Sequence, residues 1–343
     1  MSAALDPARP PLALDVRNLS VAAGETPLVH DVSFAVAAGA RVSLVGESGS
    51  GKTITALAVM GLLRPPVRIA GGSVLLGDTD LRRLSRRQLD RVRGGRIAMV
   101  YQDPMATLNP LHRVVEQIVE AIRLHTPLDR RAARARAVEL LEDVGIPDAA
   151  AKAEAYPHEL SGGMRQRVVI AMALSGDPEL LLCDEPTTAL DVTTQRRIVE
   201  LLVRVSEERG VAMVMITHDL GVAAGFSDEV AVMYAGRIVE RAEATRIYAE
   251  PCHPYTEALL GAACDLTLPL ERPIPTIQGQ PPSPGELAGG CSFHPRCRYA
   301  QPLCEVDRPL LLEAAGGGSV ACHFALERSP VAVSDAADEV GDA

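Results

Sequence analysis

Eight consecutive residues, Gly46-Glu47-Ser48-Gly49-Ser50-Gly51-Lys52-Thr53, fit G-x-x-x-x-G-K-[ST], a spacing suited to holding the phosphates of a nucleotide. The glycines let the backbone curl until successive N–H groups point at phosphate oxygens. Lys52 is placed to reach the outer phosphates, and Thr53 to ligate Mg²⁺. The chain has two lysines, Lys52 and Lys152, and one of them fills this slot. A compact ammonium on a flexible stem suits a point contact with phosphate. Further along stand Asp184 and Glu185, side by side after the apolar run Leu180 to Cys183. Two carboxylates are costly to bury without a cation. Asp184 is the expected Mg²⁺-side acid, and Glu185 can orient or deprotonate a water. Gln102 and His218 each close an apolar run; taken alone, each is an ordinary strand end. Ser161-Gly162-Gly163 precedes another apolar run, with Ser161 as a natural N-cap. A helix opening this way presents free N–H groups and a positive dipole end, although a plain Ser-capped helix reads the same.

The elements that must position these groups read as an α/β fold. Val42 to Val45 is a buried strand before the phosphate loop, and Ile54 to Leu63 an apolar helix after it. Leu14 to Val21 and Leu28 to Val36 are expected as strands joined by a turn over 24–27, forming an antiparallel layer beside the nucleotide. Gly71 to Asp80 offers a short strand and Arg82 to Arg93 a charged helix. Ile97 to Gln102, Leu180 to Glu185 and Val211 to Ile216 are buried, parallel-type strands, each with a polar group at its C-terminal edge, where ligands sit in such sheets. Residues 104–160 change character. Val114 to His125 and Arg130 to Val144 read as helices, the second closed at Gly145, so an all-helical insert is expected. Gln195 to Arg209 reads as an amphipathic helix, and Glu229 to Arg241 as a hairpin.

The chain has 343 residues and a formal net charge of −10. That balance argues against broad nucleic-acid binding. No apolar run approaches the roughly 18–20 residues that cross a bilayer, and Met1 to Pro11 lacks a signal-peptide core. A cytoplasmic product follows, with any membrane spanning left to other chains. Residues 1–11 read as a loose tail and the acidic 329–343 as a disordered one.

Taken in order, these motifs resemble the ATP-binding subunits of ABC transporters from about Leu14 to Arg241. Leu160-Ser161-Gly162-Gly163 is the most specific element, and Ala189-Leu190-Asp191 adds to it. The resemblance implies a phosphate-loop NTPase (RecA-like) core with an antiparallel β layer, bound ATP and Mg²⁺, and two such units closing face to face. Ser161, Gly162 and Gly163 of one would then meet the γ-phosphate held by the other. It further implies that Glu185 is the general base, His218 the γ-phosphate switch, Gln102 the sensor of Mg²⁺ and water, and Asp191 part of the nucleotide site. One departure stands out: the family's adenine-stacking aromatic is missing, and Val21, Ala22 and Ala23 occupy its candidate positions.

Closer still is the oligopeptide/dipeptide importer subclass. Gln102-Asp103-Pro104-Met105, Tyr156-Pro157-His158-Glu159 and Pro251-Cys252-His253-Pro254-Tyr255-Thr256 carry that likeness. Met164 resembles the first of its two ATPase subunits. Four cysteines follow, Cys291, Cys297, Cys304 and Cys322, spaced C-x5-C-x6-C-x17-C in a loop-rich stretch. They suggest a stapling metal. By resemblance this is a [4Fe-4S] cluster; zinc, with His294 or His323 substituting, and no metal both stay open. The expected organisation is an ATPase domain over 12–250, with its insert over 104–160, and a C-terminal extension over 251–328. The implied function is ATP-powered peptide import from the cytoplasmic face of the membrane. The implied partners are a homologous second ATPase subunit, two transmembrane permease subunits and an extracytoplasmic solute-binding protein. Two other readings are a soluble ATPase of this type acting on nucleic acid or ribosomes, and a metal or redox module in which ATP gates assembly.

Overall fold

The computed structural model describes residues 11–188, 190–262, 276–285, 289–314 and 316–325. The expected tails, apart from Pro11, and Cys264 lie outside them. The chain opens with β1 (Leu12–Ala23) and β2 (Thr26–Ala37), paired antiparallel. The turn is shorter than expected, because Thr26 and Pro27 already pair with Ala23 and Ala22. Pro27 is tolerated there since β2 is an edge strand. Next come β3 (Arg41–Val45), α1 (Lys52–Val59), β4 (Val67–Leu76) and β5 (Thr79–Asp80). The strand expected from Gly71 starts at Val67, and β4 pairs with β1. The four-stranded layer runs β2-β1-β4-β5. Its α2 (Arg86–Val92) is shorter than expected, because Ser85 and Gln88 form a capping box that starts it late.

After β6 (Ile97–Val100) the chain is helical: α3 (Pro104–Thr107), α4 (Val114–His125), α5 (Arg130–Asp143) and α6 (Ala149–Ala153) precede α7 (Gly162–Leu174). No strand interrupts 104–160. Then follow β7 (Leu180–Asp184), α8 (Val192–Arg209), β8 (Ala212–Thr217), α9 (Leu220–Ala224), β9 (Glu229–Tyr234) and β10 (Arg237–Glu243). Asp191 caps α8, which begins three residues before the amphipathic pattern does. The last elements are α10 (Ala244–Ala249), α11 (Pro254–Ala262), α12 (Pro302–Val306), β11 (Leu312–Glu313) and β12 (Ser319–Val320).

The main sheet runs β11-β12-β10-β9-β3-β8-β7-β6. Strands β9, β3, β8, β7 and β6 are mutually parallel, and the remaining three add antiparallel to one edge. Every residue of β6, β7 and β8 is buried, which is why they read as unbroken apolar runs. One apolar core lies between the main sheet, α1 and the antiparallel layer; a second joins the sheet to α4, α5, α7 and α8. A third was not legible in the sequence. It joins β9 and β10 to Ile247, Tyr255 and Phe293. Tyr255 and Phe293 are almost fully buried, a contribution of about 2–3 kcal/mol each from apolar burial. The C-terminal segment is thus seated on the sheet edge, and Glu240 of β10 reinforces this by accepting the N–H groups of Cys252 (2.6 Å) and His253 (2.9 Å).

Candidate functional site

Parallel strands deliver their C-terminal ends to one side of a sheet. The register sets Val45 beside Thr217, Asp184 beside Ile216 and Val100 beside Cys183. The groups just past those strands therefore meet. Gly46 turns out of β3 at φ 150°, and a Cβ there would lie 2.2 Å from the Met233 carbonyl oxygen, so no side chain fits. Gly51, at φ 101°, brings the chain into α1. Lys52 Nζ donates to the carbonyls of Gly46 (2.7 Å) and Glu47 (3.0 Å) and lies 3.3 Å from Ser50 Oγ. The ammonium is thus folded onto its own loop. Burial lowers its pKa, against the opposing pull of Glu185, Asp184 and Glu47.

Thr53 Oγ1 donates to Asp184 Oδ1 at 3.0 Å. Burial raises the Asp184 pKa, with the Glu185 charge adding to it and Thr53 and Lys52 opposing. A carboxylate whose burial is under-compensated, beside a hydroxyl, is a donor pair that fits a hard divalent cation. Glu185 sits at the junction of three elements. It accepts from Gln102 Nε2 (3.0 Å) and Thr188 Oγ1 (2.9 Å), and its other oxygen lies 3.1 Å from His218 Nδ1. Burial pushes its pKa up, but the His218 and Thr188 hydrogen bonds outweigh this and hold it below the usual carboxylate value. Its φ of 46° is uncommon for a residue with a side chain, and such strain concentrates at functional sites.

Lys52, Thr53, Gln102, Asp184, Glu185 and His218 are therefore brought together. Ser161, Gly162 and Gly163 are placed elsewhere. Ser161 caps α7 by accepting the Met164 N–H at 3.3 Å, and it faces solvent. A Cβ on Gly163 would meet Thr194 Cγ2 at 2.5 Å, so the glycine lets α7 and α8 close up. Asp191 caps α8, accepting from Thr194 N (3.0 Å) and Thr194 Oγ1 (2.7 Å). Those bonds lower its pKa.

Sequence reading missed three contributors. Thr188, in the loop after Glu185, orients that acid. Tyr255 accepts the Glu47 N–H at 2.8 Å, and Arg296 pairs with the Glu47 carboxylate at 2.6 Å. The sequence marks Tyr255 only as part of a C-terminal motif and Arg296 not at all; they lie 208 and 249 residues from Glu47.

The four cysteines converge. Cys291, Cys297, Cys304 and Cys322 line one cavity of about 20 Å³ together with His294 and His323. Burial raises the pKa of Cys291, Cys297 and Cys322, the last to about 11, and the neighbouring thiols push the same way. No group of three or more His, Cys, Asp or Glu among the described residues is set to hold a metal ion. The expected metal site is not preformed: the thiols surround a space with room for about one water molecule.

Residues 29–188 match the family model of the ABC transporter, and residues 239–304 that of the oligopeptide/dipeptide transporter C-terminal region. A Brucella abortus chain, which its name assigns to peptide import as an ATP-binding protein, is 47% identical over 310 residues, covering 89% of this chain and 93% of the relative. The dipeptide transport ATP-binding protein DppD of Escherichia coli is 43% identical over 318 residues, covering 92% and 97%. Among solved structures, the ATP-binding cassette MJ0796, a dimer in a post-hydrolysis state bound to ADP and Pi, superposes with a TM-score of 0.60 at 28% identity, over 67% of this chain and 98% of that one.

Proposed function

This chain belongs to the ATP-binding subunits of ABC transporters, in the oligopeptide/dipeptide importer class, and on that premise we propose that it hydrolyses ATP to drive peptide import through separate transmembrane subunits. The observation that carries this reading is the junction of Lys52, Thr53–Asp184 and Gln102–Glu185–His218 at the ends of parallel strands. The phosphate loop holds the triphosphate. Thr53, Asp184 and Gln102 would hold Mg²⁺, which offsets charge on the phosphates. Glu185, kept ionised, orients the attacking water and takes its proton; His218 and Thr188 fix the carboxylate. Asp191 sets the start of α8 beside the Ser-Gly-Gly turn. No helix among the described residues is long and apolar enough to cross a membrane. Peripheral attachment at the cytoplasmic face, to two permease subunits, follows from the reading, with a solute-binding protein supplying the peptide. We take 12–250 as the ATPase domain and 251–328 as its extension.

The exposed start of α7 is the half-site that a homologous second ATPase subunit would use. Ser161→Arg should leave ATP binding intact but cut hydrolysis in the assembled transporter about 10²-fold, the usual worth of a lost oxyanion-type donor. Unchanged turnover, measured by phosphate release in proteoliposomes, would defeat the face-to-face reading. The decisive test of function is ATP-dependent uptake of a labelled dipeptide into those proteoliposomes; ATP turnover without uptake would rule out import.

We further read the four cysteines as ligands of a [4Fe-4S] cluster. Supporting this are the number and type of donors around one cavity, and their mutual destabilisation as free thiolates. Protein purified without oxygen should contain about four irons and four acid-labile sulfides per chain. Iron-free, colourless protein from the same procedure would remove the cluster.

A further inference from the structure

The second residue of the phosphate loop is gripped from outside the strand–loop–helix unit. Arg296 sets its guanidinium fork on the Glu47 carboxylate, with Nη1–Oε2 at 2.6 Å and Nη2–Oε1 at 2.9 Å. Its side chain is only 4% exposed. The same guanidinium donates to the Gln278 carbonyl (2.9 Å) and lies over the Tyr234 ring, 5.8 Å from the centroid. Tyr255, fully buried, accepts the Glu47 N–H through its hydroxyl at 2.8 Å. Both side chains come from the C-terminal extension. Arg296 ends a single 3-10 turn, His294–Arg296, that lies between Cys291 and Cys297 and is closed by the bond from Cys297 N–H to the His294 carbonyl (3.2 Å).

A loop whose amides must converge on phosphate binds well only if its backbone is already in place. The glycines that permit the curl also leave it conformational freedom, which binding must otherwise remove. Exposed ion pairs do little to limit such freedom, but an enclosed bidentate fork is directional and strong. Glu47 is held at three points: its carboxylate by Arg296, its N–H by Tyr255 and its carbonyl by Lys52. When Lys52 turns to a phosphate, Glu47 keeps the Ser50 N–H bond to its carbonyl (3.2 Å) within the loop and the two contacts from the extension, which alone hold it from outside the loop.

We propose that Arg296 and Tyr255 are positioning residues for the phosphate loop, so that the cysteine-bearing extension sets the affinity of the site for ATP. This rests on ATP being the ligand of the loop. A tether alone would differ: its loss would loosen the extension and leave nucleotide affinity unchanged.

The test measures MgATP dissociation constants by titration calorimetry, with KM, kcat and melting temperature, for the full chain and its variants. Arg296→Ala should raise Kd and KM about tenfold with kcat within about twofold, since ground-state binding is what is lost. Arg296→Lys, which keeps the charge without the fork, should fall between the two, and Tyr255→Phe should raise Kd about threefold by freeing one amide. Glu47→Gln should weaken binding in the Arg296 protein but not in the Arg296→Ala background, because paired residues are non-additive. If Arg296→Ala does not fold, Arg296→Lys serves as the second background. An equal effect of Glu47→Gln in both backgrounds, or wild-type affinity in Arg296→Ala and Tyr255→Phe with only a lower melting temperature, would overturn the positioning role. A wild-type chain that fails to bind MgATP would instead count against the ATPase reading, so the two failures are distinguishable.

Discussion

Glu185→Gln should slow ATP hydrolysis about 10²–10⁴-fold, the usual worth of a general base, while MgATP remains bound. The substitution is close to isosteric. Its amide oxygen can still accept from Gln102 and Thr188, and its amide nitrogen can donate to His218 Nδ1. Geometry is thereby kept and basicity removed. The pH profile sharpens the test. The His218 and Thr188 hydrogen bonds outweigh burial and hold the Glu185 carboxyl below its usual pKa. A group depressed in this way keeps its charge to a lower pH than an unperturbed carboxylate. The Glu185-dependent rate should therefore be lost at lower pH than an ordinary glutamate would lose it. Single-turnover phosphate release, with ATP binding measured in parallel, provides the check. Near-normal turnover in the variant would remove Glu185 from the reaction.

Lys52→Ala should weaken MgATP binding by about two orders of magnitude, since a charge-assisted hydrogen bond contributes up to about 3 kcal/mol. The ammonium is 5% exposed and held by two loop carbonyls and Ser50. Burial already disfavours its charge, so an arriving phosphate offers it a better partner than neutral carbonyls do. The variant should fold, because the glycine turns and the Thr53–Asp184 bond do not need the lysine. Calorimetric titration that finds wild-type affinity in Lys52→Ala would mean the loop has been misread.

Local patterning carried much of this molecule. Apolar runs bounded by glycine or proline placed β3, β6, β7 and β8, because strands buried on both faces must be apolar throughout. Capping residues placed α7, and the expectation for α4 matched its limits, Val114 to His125. Errors fell where tertiary pairing overrode local signals. Thr26 and Pro27 looked like turn residues but joined β2, since β1 lies opposite them. Val67 to Ala70 lie ahead of Gly71, where the sequence reading starts the strand, and pairing of Val67, Arg68 and Ile69 with β1 extends β4 back to them.

The sequence by itself determined which chemical groups exist and at which element ends they stand: an ammonium and hydroxyl after one strand, two acids after another, a glutamine and a histidine after two more. Spacing along the chain is enough for that, because a strand end is a local property. Only the tertiary structure decided which of these ends meet. Parallel register gathers Lys52, Gln102, Asp184, Glu185 and His218, and leaves Ser161 facing solvent. It also brings Tyr255 and Arg296 onto Glu47 across more than two hundred residues, through an aromatic cluster on the sheet edge. No local pattern encodes that contact. It depends on where the extension buries its apolar side chains, and that is settled by the whole fold at once.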